Sequence, residues 1–507
     1  MASRDNTRVF LAWAVAGAAL AVGAAGAARP VMLVALPLLA VVVGLLVVAP
    51  RSLEPGIAAW VFLVLVAATK FRHRDATASL SGEADNQVIL ELGLYALLAV
   101  ALVVIWWSRR VRLRPVGRME RVLLLYVVVA AASSFWSAAP LLTLCRSLQL
   151  GTLALAALLF VRLLTPDRVL LSMSTPLTLY VVASASLALL FPAAAGGMVE
   201  DGVTRFSWFA VHPISAGTLA GIAALGLCLR LLAGERNRPG HPRLWLWLLI
   251  TALIGIAVLT RSRGPLIAFA GALTFGFLLR RTSAAASALL ASAMLVAAIL
   301  IGNSDTPLLE LLSNWSAHPG ALGSLLFRGQ GADAVVGFSG RLRLWSEAIP
   351  LFLEQPWLGS GFQGSRAELL DLASWSGHAH NGVLQSLLDL GLLGSILLFS
   401  AFASIFVVGP LRSPVIPPRV RFTRLMVLAL GMFEILNAVS NPSFAGVPGY
   451  ETLIVFTCIC LAQRLRHTSA SRQSLGPTPA GSLADVRRAA AQADADVGAS
   501  LAPSTSG

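Results

Sequence analysis

Ser376-Gly377-His378-Ala379-His380-Asn381-Gly382-Val383-Leu384-Gln385-Ser386-Leu387-Leu388-Asp389-Leu390-Gly391-Leu392-Leu393-Gly394 is where the longest stretch between apolar runs ends and another apolar run begins. The run it opens continues to about residue 409, long enough at about 1.5 Å per residue to cross a hydrocarbon core of about 30 Å. A water-facing loop that turns directly into such a run belongs to a membrane protein. It also sets two histidines at the boundary, where an imidazole is well sited to exchange protons with water.

The rest of the chain agrees. Its 507 residues are 57% hydrophobic and 12% charged, with a mean hydropathy of +0.79, whereas a soluble domain carries about 25% charged residues. The apolar runs are continuous and about 20 residues long, which selects an all-α, polytopic transmembrane helix bundle and excludes a barrel of short alternating strands. The net charge of +14 does not indicate a nucleic-acid partner. Its basic residues are scattered in short clusters between apolar runs, and Lys70 is the only lysine. Membrane lipids are the expected surroundings. Cys145, Cys228, Cys458 and Cys460 lie in or beside apolar runs without a CxxC pair, as packing residues do.

Hydropathy places spans near 9–28, 31–50, 56–69, 87–107, 122–138, 147–164, 169–191, 213–233, 244–260, 264–280, 282–302, 382–409, 422–440 and 450–465. The first, beginning near Val9, is expected to stay as an uncleaved span because a second run follows at once. With the N-terminus in the cytoplasm, most of the 38 basic residues fall on inside connections, as the positive-inside rule requires. This divides the chain into N-terminal helices (1–302), a large extracytoplasmic loop (303–381), C-terminal helices (382–466) and a disordered cytoplasmic tail (467–507), with one short helix expected near Leu483–Ala491. Within the large loop, Pro307 to Trp315 and Leu342 to Leu353 are apolar enough for short interfacial helices. Breaks are expected at Pro350, Pro356, Gly359, Gly361 and Gly364.

Cations on the outer side run against the usual bias, which makes them functional candidates. Thr260-Arg261-Ser262-Arg263-Gly264 is a very short outer turn with two arginines near the hydrocarbon boundary. Such arginines either snorkel to headgroups or grip an anion such as a lipid phosphate, for which the planar guanidinium offers paired donors. In Gly340-Arg341-Leu342-Arg343-Leu344-Trp345, Arg343 is expected to pair with Glu347 at i, i+4, leaving Arg341, at a helix start, to reach a ligand. His380 and His378 stand at i, i+2 and share no helix face, so a two-histidine metal site on one helix is not expected, and HExxH is absent. His212, before Pro213, and Arg205, in the loop 201–208, are further outer polar groups placed to line a substrate groove or to meet headgroups. The spans hold few ionisable residues, chiefly Glu91, Asp389 and Glu434.

His380-Asn381 followed by Gly391-x-x-Gly394 resembles the signature of the O-antigen ligase superfamily, which includes lipopolysaccharide O-antigen ligases, protein O-oligosaccharyltransferases and O-antigen or exopolysaccharide polymerases. Ser262-Arg263-Gly264 resembles its Ser-Arg-Gly element. Gly340-Arg341 with Trp345 and Pro356-x-x-Gly359-x-Gly361 resembles its large-loop element, and the similarity spans about 205–395. The resemblance implies a C-type membrane glycosyltransferase of about twelve spans in the bacterial cytoplasmic (inner) membrane, needing no metal or other cofactor. Its active site would face the periplasm or cell exterior. The implied donor is a glycan on undecaprenyl diphosphate, and the implied acceptor is lipid A core or a growing polysaccharide.

The chemistry can be read on the residues themselves. Breaking a sugar C1–O bond in a lipid diphosphate leaves negative charge on the departing diphosphate, which Arg263 and Arg341 are suited to stabilise. The acceptor hydroxyl loses a proton as it attacks, and His380 is suited to take it, with inversion at the anomeric carbon. Asn381 would orient the acceptor or the loop. Ligase and polymerase differ only in acceptor. A transporter or flippase would put ionisable groups and broken helices near the midplane instead, and a non-catalytic scaffold would tolerate an inactivated site.

Overall fold

The computed structural model describes residues 86–108, 116–192, 198–200, 203–208, 211–233, 243–281, 341–373, 376–407 and 418–474. The expected spans at 9–28, 31–50, 56–69 and 282–302, the helix at Pro307–Trp315 and most of the tail, with its helix near Leu483, lie outside them. The chain divides into two compact units at Gln463 and Arg464.

Among the described residues the regular elements are helices apart from one small hairpin. In order they form α1 (Asn86–Ser108), α2 (Arg118–Ala132), α3 (Pro140–Leu163), α4 (Pro166–Leu190), β1 (Met198–Glu200), β2 (Val203–Arg205), α5 (Pro213–Ala233), α6 (Arg243–Leu259), α7 (Arg263–Arg281), α8 (Arg341–Glu354), α9 (Arg366–Leu372), α10 (Gly382–Ala403), α11 (Pro418–Ala438) and α12 (Tyr450–Ser474). Each apolar run inside the described residues is a helix, so the chain is an all-α polytopic membrane protein. By length and composition, Pro140–Leu163, Pro166–Leu190, Pro213–Leu232 and Gly382–Phe406 are long and apolar enough to cross a bilayer. α12 runs past His467 to Ser474, further than the hydropathy break suggested.

Proline starts α3, α4, α5 and α11, where its missing N–H would be unpaired in any case. Close packing comes from small residues. α5 lies against α7 and α11, with Gly221 under the Phe433 ring and Gly276 under Leu229. In lipid, where water does not drive helices together, such close approach supplies the contact energy. The few ionisable groups in the spans are partnered inside the bundle: Glu91 with Arg146 at 2.9 Å, Glu120 with Arg162 at 3.0 Å, and Glu434 with the Ser443 hydroxyl.

One expectation needs correcting. Pro350 does not break the chain, since α8 continues through it to Glu354. Pro350 and Ser346 are both exposed, so the carbonyl that loses its donor faces outward and costs little. The run 382–409 forms the expected helix, with a bend in it. Gly391 has φ 60° and ψ −160° inside α10, and the Ser386 and Ser395 hydroxyls lie 2.9 Å apart. Nine residues of straight helix span about 13 Å, so the two halves of α10 meet at a sharp bend.

Candidate functional site

The bend in α10 is filled by the loop that carries the Pro356-x-x-Gly359-x-Gly361 element. Leu392 N–H donates to the Pro356 carbonyl at 2.8 Å, Leu393 N–H to that of Trp357 at 3.2 Å, and Ser360 N–H to that of Leu388 at 2.9 Å. Backbone groups freed by a broken helix must find partners in a membrane protein, and this loop supplies them. Both glycines at the junction are required. A Cβ on Gly391 would meet the Trp357 peptide and approach Leu358 N to 2.6 Å, and one on Gly359 would come within 2.5 Å of the Leu388 carbonyl oxygen. Both have φ near +60°. The two glycine motifs are therefore halves of one joint.

That joint sets the start of α10. Asn381 is its N-cap: its Oδ1 accepts from Val383 N–H (2.9 Å) and Leu384 N–H (3.0 Å), and its Nδ2 donates to the Val439 carbonyl at 3.4 Å. Immediately before it, His380 has φ +50°, a left-handed conformation for a branched-ring residue. Its ring lies 4.3 Å, centroid to centroid, from that of His378 at a 34° tilt. Burial, His378, and then the charges of Arg341 and His212 push the His380 imidazole down to about 2. It is therefore neutral at ordinary pH, the form that can accept a proton. The same field shows that Arg341, at the first position of α8, and His212 share the neighbourhood of His380.

His212 is half-buried at the head of α5, where its Nδ1 accepts from Ile214 N–H at 3.2 Å. One turn further, α5 packs on the 260–262 turn: a Cβ on Gly217 would lie 2.8 Å from the Thr260 hydroxyl and 3.3 Å from the Ser262 Cβ. That turn is bolted to the hairpin by Arg205. Only 1% exposed, Arg205 donates from Nε to the Thr260 carbonyl (3.2 Å) and from Nη2 to the Ser262 hydroxyl (2.7 Å), while Phe206 N–H donates to the Leu259 carbonyl at 3.2 Å. Arg261 within the turn has φ +50°. Arg263 opens α7 half-buried and near enough to Arg205 for the two charges to repel.

The turn and the histidine loop meet on a common segment. Gly264 lies against the Ser440 side chain, and Asn381 holds the neighbouring Val439. Arg205, His212, Arg261, Arg263, Arg341, His378, His380 and Asn381 thus gather at one end of the bundle. Their placement differs in kind. Arg205 and Asn381 are tied into backbone contacts that hold the turn and the loop, whereas Arg263 and Arg341 sit at helix starts. Two left-handed non-glycine residues, Arg261 and His380, lie in this one region, and such strain collects at working sites. Arg343 stays outside, 86% exposed and paired with Glu347 at 2.8 Å, as the i, i+4 spacing indicated.

Sequence reasoning missed the supports. Trp345 Nε1 donates to the Ala379 carbonyl at 2.8 Å, and Ala379 N–H donates to Gln385 Oε1 at 2.8 Å. Asp389, flagged only as ionisable, accepts from Ser365 (2.6 Å), Gln385 (3.0 Å) and Gln363 (3.1 Å). The available signal was the i, i+4 spacing of Gln385 and Asp389 in an otherwise apolar run.

Residues 246–399 match the family model described as O-antigen ligase. That stretch, well under half of the chain, is what this protein shares with the family. It includes the turn of Arg263, α8 with Arg341, the histidine loop and the bend of α10. No curated protein matches the chain.

Proposed function

We propose that this protein transfers a glycan from an undecaprenyl-diphosphate donor to an acceptor hydroxyl at the outer face of the bacterial cytoplasmic membrane. The observation that carries the reading is geometric: the left-handed His380, its ring 4.3 Å from that of His378, precedes Asn381, which is tied to Val439 beside the Ser440 that packs on Gly264 of the Arg263 turn. In this reading Arg263 and Arg341 bind the diphosphate and stabilise the charge it gains as the sugar C1–O bond breaks. His380 takes the proton of the attacking hydroxyl, which adds to the anomeric carbon from the opposite side and inverts it. Burial is the first cause of the lowered His380 value, and binding of the anionic donor offsets the smaller part that comes from the neighbouring positive charges. Arg261, His212 and His378 line the groove, and no step is assigned to a metal.

The acceptor decides between lipid A core, giving a ligase, and a growing lipid-linked polysaccharide, giving a polymerase. A transporter or flippase fits less well, because Glu91 and Asp389 have partners within the bundle while the cations gather at one end. The test is analysis of lipid-linked glycans in source cells carrying wild type or His380→Ala. Loss of transfer with the variant inserted at normal level supports the reading, and near-normal product removes His380 from the mechanism. Single repeat units left on the lipid mark a polymerase. Finished chains left unattached mark a ligase.

A further inference from the structure

Ala379 is wholly buried, and both faces of its backbone are held by side chains. Its carbonyl accepts from Trp345 Nε1 of α8 at 2.8 Å. Its N–H donates to Gln385 Oε1 of α10 at 2.8 Å. That carbonyl belongs to the peptide joining Ala379 to His380. Fixing the peptide plane, together with φ at +50° for His380, fixes the direction in which the imidazole leaves the chain. A left-handed non-glycine residue is strained and relaxes unless its surroundings hold it.

The Gln385 amide has a defined sense. Its Nε2 donates to Asp389 Oδ2 at 3.0 Å and to the Ser365 hydroxyl at 3.2 Å. An ionised carboxylate only accepts, so the NH₂ must face Asp389 and the oxygen must face Ala379 N–H. Asp389 is held in turn by Ser365 at 2.6 Å and Gln363 at 3.1 Å. Gln385 and Asp389 are each 1% exposed, so water does not replace these bonds.

We infer that Gln385 is a positioning residue for His380, with Asp389 as the group that sets the sense of its amide. Gln385 acts through the Ala379 backbone and touches no reacting atom. The inference rests on the reading of His380 as the general base.

The test uses full-length protein in membranes of source cells that lack their own copy, with the cells' lipid-linked glycan as donor. Binding of undecaprenyl diphosphate is followed on the same purified variants. Gln385→Leu is expected to lower transfer at least tenfold while undecaprenyl diphosphate binding stays within twofold, because the arginines are untouched. Gln385→Glu is expected to be equally poor, since its carboxylate faces that of Asp389. Adding Asp389→Asn restores a donor opposite the new carboxylate, and the double variant Gln385→Glu/Asp389→Asn is expected to recover most of the lost rate. If Gln385→Leu fails to insert, the Gln385→Glu pair decides. Transfer by Gln385→Leu within twofold of wild type, or a double variant as poor as Gln385→Glu alone, overturns the positioning role. His380→Ala is run in parallel: normal transfer by that variant overturns the general-base reading on which the inference stands, whereas its loss beside an active Gln385→Leu overturns the inference alone.

Discussion

Replacing Gly391 by alanine attacks the joint on which the site is built. Its φ of 60° with ψ of −160° lies in a region essentially restricted to glycine, and an L-residue held there costs on the order of 1–3 kcal/mol. The added methyl would also run into backbone, with Leu358 N at 2.6 Å, and no side chain can swing aside to make room. Relief requires the Pro356–Gly361 loop to back out of the bend, which gives up the Leu392 and Leu393 hydrogen bonds at about 1 kcal/mol each. The sum is roughly 3–5 kcal/mol against the native joint. Thermal unfolding of the detergent-purified protein, followed by loss of the monodisperse peak, measures it, with Gly255→Ala as control because a Cβ there meets nothing within 4 Å. Gly391→Ala should melt well below wild type and lose transfer, while Gly255→Ala should match or slightly exceed wild type, as alanine favours helix. A Gly391→Ala protein that melts and works like wild type would falsify the joint.

Other outcomes follow from the same contacts. Arg205→Met should reduce transfer more than tenfold, because the Thr260–Ser262 turn loses both guanidinium bonds and Arg263 loses its placement; an initial-rate assay in membranes checks this. Arg343→Ala should leave transfer unchanged, since its pair with Glu347 is exposed, whereas Arg341→Ala should abolish it. For His380, the folded value lies far below the ordinary 6.5, so the unfolded chain binds the extra proton in that interval. Its contribution to stability is therefore full above about pH 6.5 and is lost as pH falls toward the folded value. Melting curves between pH 7 and pH 4.5 should show wild type losing stability on acidification and His380→Gln losing less; equal slopes would remove the buried neutral imidazole from the account.

The helices were legible because an apolar run of about 20 residues has few folding options in lipid. Candidate residues were legible where charge stood against the bias of its surroundings, as at Arg263 and Arg341, or where imidazoles met a span boundary. The supports were not. Gly391 reads as one glycine among apolar residues, and nothing local reveals that a loop more than thirty residues upstream fills the bend it makes. Arg205 was expected near headgroups or substrate because a lone arginine carries no sign of its partners; only the approach of β2 to the 260–262 turn buries it. A break was expected at Pro350 even though a helix was expected over Leu342–Leu353, since hydropathy does not show that the carbonyl it displaces faces outward.

The most direct test is the release of undecaprenyl diphosphate from lipid-linked glycan in membranes containing equal amounts of wild type or His380→Ala. General-base assistance contributes about 10²–10⁴-fold, so the variant should release at least about a hundredfold less while still binding undecaprenyl diphosphate. Release at a rate near that of wild type would contradict the assignment of proton transfer to His380.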